Sequence, residues 1–110
     1  MKTLTWVGDS LDVIRAFDET VQDEIGYQLH RVQRGENPYD WKPMSDVGAG
    51  VREIRIRVSK NAYRVIYIAS FEQAVYVLHA FQKKTQKTPI RELRLAKLRL
   101  TAVANERGET

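Results

Sequence analysis

Three adjacent stretches, residues 51–58, 62–69 and 74–81, constrain this chain more than anything else in it. In 51–58, Ile54, Ile56 and Val58 fall on one face and Glu53, Arg55 and Arg57 on the other, the two-residue period of a strand. Residues 62–69 are apolar on both faces apart from Arg64, and residues 74–81 apart from His79. The connections, three and four residues long, are too short for a crossover, so both pairings are antiparallel hairpins. The second and third strands read as central, and the first turns its charged face to solvent or to a ligand.

Helices flank this sheet in sequence. Asp9 or Ser10 caps a short helix carrying Leu11, Val13, Ile14 and Phe17, and Asp18 caps a longer one. In the longer helix Val21, Ile25, Leu29 and Val32 recur on one face, with Glu19, Asp23, Glu24, Arg31 and Arg34 outside it. The two form a hairpin. Gly26 inside a helix costs about 1 kcal/mol relative to alanine, which predicts a backbone or ring passing close to it. Gly35 ends the helix and Pro38 prevents its resumption. Residues 37–50 read as a loop punctuated by Pro38, Pro43, Gly48 and Gly50, with Trp41 pinning it to the domain or, alternatively, stacking on a base. Residues 4–7 read as an edge strand or a tethered N-terminus.

The last helix opens at Thr88 as N-cap with Pro89 in its first turn. Leu93, Ala96, Leu100 and Val103 form its apolar stripe, widened by Ile90, Leu95 and Leu98, while Arg91, Arg94 and Lys97 form a basic ridge. Residues 104–110 turn polar and are expected to fray. The expectation is one α+β domain over residues 1–110: an N-terminal helical hairpin on a three- to four-stranded antiparallel sheet, with a C-terminal helix.

Charge is unevenly spread. Residues 51–100 hold twelve Lys or Arg against three Glu, whereas the first fifty residues hold five bases and nine acids. The net charge of +4 therefore conceals a strongly basic half, which argues for a polyanionic partner such as nucleic acid. No apolar run approaches the ~20 residues of a membrane span, no secretory h-region follows Met1, and a cytoplasmic protein is expected. The chain has no cysteine, which excludes disulfides, thiolate nucleophiles and cysteine zinc sites. Two distant histidines and no clustered carboxylates in the basic half predict no metal and no cofactor. Val47-Gly48-Ala49-Gly50 lacks the Lys and Ser or Thr of a P-loop.

Within the basic half, Arg64 is the most informative residue, because a guanidinium in an apolar central strand keeps its charge and must find an anion. Glu53 or Glu72 would make it structural; a ligand phosphate would make it functional. Arg55 and Arg57 lie two residues apart on one strand face, as a phosphate clamp requires. Lys83, Lys84 and Lys87 follow the third strand, and Arg57, Lys87, Arg91 and Arg94 extend the cation set for RNA. His79 reads as a packed strand histidine or as a general acid or base. With no metal, RNA cleavage remains open to such a set, since the 2′-OH is an internal nucleophile that needs only alignment, proton transfer and charge neutralisation.

An ordered series of motifs supports that direction: Gly50-Val51-Arg52-Glu53-Ile54-Arg55, Tyr63-Arg64-Val65-Ile66-Tyr67, Val77-Leu78-His79-Ala80-Phe81-Gln82-Lys83-Lys84, and Lys87-Thr88-Pro89 with Glu92. Together with Glu24-Ile25-Gly26-Tyr27-Gln28-Leu29 and Lys42-Pro43, the series resembles the phage-derived, HigB-like branch of the RelE/ParE toxin superfamily over about residues 15–100. The resemblance implies the toxin of a type II toxin–antitoxin pair, cutting mRNA in the ribosomal A site without metal, with a helix-turn-helix protein as cognate antitoxin. It matches Arg55 and Arg64 to strand cations at the scissile phosphate, and Lys83 and Lys84 to the cations after the last strand. Many relatives carry a late tyrosine or histidine for proton transfer; this chain has neither after His79, leaving His79, a lysine or electrostatics alone. The ParE-like alternative is a non-nuclease toxin of DNA gyrase, and a third is a non-toxic nucleic-acid-binding module.

Overall fold

The computed structural model describes residues 1–108, in the order β1 (Thr3–Trp6), α1 (Ser10–Arg15), α2 (Glu19–Gln33), β2 (Trp41–Pro43), β3 (Val51–Val58), β4 (Asn61–Ile68), β5 (Ala74–Lys83) and α3 (Ile90–Glu106). The fold is α+β, with a five-stranded sheet in the order β1-β5-β4-β3-β2. β3, β4 and β5 form the two antiparallel hairpins expected from the alternation; β4 is the middle strand, and β3 as well as β5 is interior. Two further strands complete the sheet. β1 pairs parallel to β5, because its chain reaches the far edge before the helical hairpin carries it back across the sheet. β2 lies inside the segment expected to be a loop and pairs with β3 from Trp41 opposite Ile54 to Pro43 opposite Arg52. Its proline is tolerated because the strand is an edge. Trp41 is half-buried beneath the Arg52 guanidinium, 4.2 Å from its ring centre, and so pins the segment.

The sheet has two covered faces. On one, Ile14, Val21, Ile25, Leu29 and Val32 of the helical hairpin pack against Ile54, Ile56, Val65, Tyr67, Val75 and Val77. On the other, Ala96 and Val103 of α3 pack with Val51, Ile66, Ile68, Tyr76 and Leu78. Ile90 and Leu98 are exposed and do not widen the α3 stripe as expected. That helix begins one residue later than its sequence suggests, with Pro89 in extended backbone as N-cap and no side-chain cap. It runs on to Glu106, past the predicted fraying point; Glu109 and Thr110, also in that prediction, lie outside the described residues. No helix of the described residues is long and apolar enough to cross a membrane.

One irregularity decides which side chains share a face. In β5 the register changes, His79 facing Ile66 while Val77 faces Tyr67, so Leu78 has no partner residue across the strand pair. Val77 and Ala80 consequently both join the helical-hairpin core, while Leu78 and Phe81 join the α3 core. Strict alternation would have kept His79 with Val77; the bulge turns it toward α3.

Gly26 departs from expectation. A Cβ built there meets nothing within 4 Å, so no close approach explains the glycine. Gly26→Ala is expected to raise stability by about 1 kcal/mol in urea unfolding, the ordinary helix-propensity gain; a loss of stability would show that the residue has a packing role.

Candidate nucleic-acid interface

The α3 side of the sheet is covered only in part. Beyond the apolar cluster under α3, cross-strand pairing lines up Arg55 with Arg64 and Phe81, and Arg57 with Ala62 and Lys83. Pairing partners in neighbouring strands project to the same face. Arg55, Arg57, Arg64 and Lys83, separated by up to 28 positions in sequence, therefore stand together on one open patch. A depression of about 450 Å3 is lined by Arg57, Lys60, Arg64, Lys83 and Lys84. It adjoins one of about 150 Å3 through Arg57 and Arg64, where Arg55 and Asp40 complete the lining. It adjoins another, of about 420 Å3, through Lys83 and Gln86, where Lys42, Lys87 and Thr88 form the wall. The three form a continuous cationic groove along one end of the sheet.

Arg55, Lys83 and Arg64 are each placed by a specific contact. The Arg55 backbone N–H donates to the Asp40 carbonyl at 2.8 Å, and its Nε lies 3.3 Å from Asp40 Oδ1. Lys83 Nζ donates to the Gln86 carbonyl at 2.7 Å, which folds the post-strand segment back over the groove. Arg64, whose side chain is 12% exposed, places Nε 3.5 Å from Glu53 Oε1 and donates through one terminal nitrogen to the Tyr63 carbonyl at 3.1 Å. Burial lowers the Arg64 pKa, with the Glu53 carboxylate opposing; a guanidinium starting so high stays protonated at any physiological pH.

Glu53 corrects the strand reading. It lies on the charged face of β3 as the alternation requires, yet it is 1% exposed. Lys42 Nζ lies 3.9 Å from the same Oε1 that Arg64 approaches, and Oε2 has no hydrogen-bond partner among the protein atoms. Burial pushes its pKa up, and the charges of Lys42, Arg64, Arg55 and Lys83 pull in the opposite sense. Of the two anions considered for Arg64, Glu53 is the one present. Glu72 lies in the β4–β5 turn, beside Met1 and Lys2.

His79 and the α3 arginines are not brought into the groove. The His79 ring is 6% exposed, with Nε2 2.8 Å from Glu92 Oε1 and Nδ1 3.0 Å from an Arg99 terminal nitrogen. A guanidinium only donates, so Nδ1 is the acceptor and Nε2 carries the proton to Glu92. Both ring nitrogens are thereby engaged between β5 and α3, at a buried position that lines none of the three depressions. Arg91 and Arg94 are exposed on α3 and line none of the three depressions. Three groove residues had no role in the sequence reading, Asp40, Lys42 and Lys60, which arrive through turns and the short β2 edge; Glu53 entered it as a candidate counter-ion for Arg64, on the same strand face as Arg55 and Arg57.

Comparison with known families settles the relationship. The sequence profile of the family described as phage-derived protein Gp49-like (DUF891) matches residues 12–101. The chain belongs to this Gp49-like family. The matched span begins within α1, contains α2 and every strand after β1, and includes most of α3. All the cations of the Gp49-like groove lie inside it. No curated protein matches the chain.

Proposed function

We propose that this Gp49-like protein is the toxin of a type II toxin–antitoxin pair and acts as a metal-independent endoribonuclease on mRNA engaged with the ribosome. The observation that carries the reading is the convergence of Arg55, Arg57, Arg64, Lys83 and Lys84 along one open groove on a rigid sheet. Strand-borne cations at fixed spacing favour a phosphate whose charge increases during reaction, since they need no reorganisation as it develops.

In that reading the RNA backbone enters the groove with the scissile phosphate against Arg64 and Lys83. The 2′-oxygen attacks phosphorus in line with the departing 5′-oxygen, giving a 2′,3′-cyclic phosphate and a free 5′-hydroxyl. Arg55 and Lys84 hold the flanking backbone, with Arg57 and Lys87 extending the track. Proton transfer falls to the groove lysines or solvent, because His79 is committed to Glu92 and Arg99. The cognate antitoxin is a helix-turn-helix protein that neutralises the toxin. That same engagement of His79 favours a second reading, a toxin that binds a protein such as DNA gyrase without cutting RNA.

The deciding experiment is expression from a tightly repressed promoter with mapping of mRNA 5′ ends after induction. New cuts within coding regions, in frame with codons, are expected within minutes of induction. Growth arrest with intact mRNA would instead establish the protein-target reading, and unaffected growth would reject toxicity altogether.

A further inference from the structure

A buried carboxylate lies among the groove cations. Glu53 sits at the centre of the cation set, facing Lys42 from β2, Arg55 on its own strand, Arg64 from β4 and Lys83 from β5. Along its own cross-strand row, Ile66 separates it from His79, to which Glu92 of α3 is bonded. A carboxylate that served only to neutralise Arg64 would be expected to engage the guanidinium with both oxygens. Here Oε1 is shared between Arg64 and Lys42 at 3.5 and 3.9 Å, and Oε2 is buried without a partner. Such an arrangement holds the arginine in position with a weak, incomplete bond.

We infer that Glu53 is a positioning residue that competes with phosphate for Arg64, so that nucleic-acid binding in the groove is coupled to uptake of a proton by Glu53. The inference rests on the groove being a phosphate site, as proposed above. Two forms of Glu53 differ in what they permit. Ionised, it offsets part of the positive potential and retains Arg64; protonated, it releases both to an incoming phosphate. A bound phosphate places a second negative charge near the carboxylate and favours its protonated form. Binding that takes up a proton strengthens as pH falls and weakens as pH rises. Between encounters, the paired carboxylate keeps the buried arginine oriented at lower desolvation cost than a lone guanidinium.

The test uses the full chain and a fluorescein-labelled single-stranded oligouridylate, with affinity measured from about pH 5.5 to about pH 8, a range over which lysine and arginine ordinarily stay charged. Calorimetry in two buffers of different ionisation enthalpy counts the protons taken up. The wild type is expected to take up protons on binding and to lose affinity toward high pH. E53Q is expected to bind about tenfold tighter at the alkaline end, as removal of one nearby charge allows, and to take up fewer protons. E53D, which keeps the charge, retains the pH dependence, and thermal melts establish that each variant is folded. His79 and its bonds to Glu92 and Arg99 are left unaltered in both variants. Equal proton uptake in wild type and E53Q, or weaker binding by folded E53Q, overturns the inference while leaving the phosphate site standing. Absence of oligouridylate binding by wild type and E53Q alike overturns the reading of the groove itself.

Discussion

Arg64→Ala is expected to abolish growth arrest and to reduce mRNA cleavage by about 100-fold or more, the usual effect of deleting one preorganised charge at a reacting group. Arg64 is more deeply set than Arg55 or Lys42, its side chain 12% exposed against 40% and 46%. A charge in that position acts through less screening solvent than its neighbours do. Its removal also takes one of two cations from Glu53, but that carboxylate has its pKa already raised by burial and can take up a proton, so the fold should survive the change. Arg64→Lys keeps the charge and loses the planar fork, and is expected to recover only a minor part of the activity. The measurement is the count of induced 5′ ends per transcript, with soluble protein checked by circular dichroism. If cleavage persisted after both Arg64→Ala and Lys83→Ala, the groove could not be the reactive site.

Arg99→Ala should be the most damaging single change for stability outside the apolar core, costing about 3 kcal/mol. Arg99 joins three separate parts of the fold. One terminal nitrogen donates to the Leu78 carbonyl at the β5 bulge and to His79 Nδ1, each at 3.0 Å, while the other lies 2.6 Å from Asp9 Oδ1 before α1. Gly8, at φ +58, makes room for it, since a Cβ there would stand 2.5 Å from Arg99 Nε. Truncation strands a bulge carbonyl and an imidazole nitrogen, and the second cluster of the core loses its grip on α3. Urea titration should show the midpoint falling with little change in slope. Asp9→Asn, by contrast, alters a 59%-exposed partner and should cost less than about 1 kcal/mol. Equal losses from the two substitutions would mean that the surface ion pair, rather than the buried bonds to β5, secures the helix.

Much of the architecture was legible because it depends on short-range periodicity. The alternation through residues 51–58 and the apolar runs around Arg64 and His79 locate β3, β4 and β5, and the spacing of Val21, Ile25, Leu29 and Val32 locates α2 and its buried face. The cation candidates Arg55, Arg57 and Arg64 were legible for the same reason, as charges at strand positions where burial or a ligand had to account for them, and Lys83 and Lys84 as a lysine cluster following the third apolar run. β1 and β2 were weaker: four and three residues carry little periodic signal, and each owes its conformation to a partner strand distant in sequence.

By itself, then, the amino-acid sequence determined β3, β4 and β5, the helical hairpin and the concentration of positive charge in one half of the chain, since these follow from side-chain period and composition. The tertiary structure alone decided which charges remain available. The β5 bulge at Leu78 rotated His79 toward α3, where Arg99, twenty residues later, occupied its acceptor nitrogen. The same face buried Glu53 between Lys42 and Arg64, which are brought together only by strands on either side of it. Alternation along one strand states which side a residue faces; solvent exclusion and hydrogen-bond partners come from elements far away in the chain, and those set whether a titratable group is a ligand-binding residue, a fastening or a counter-ion.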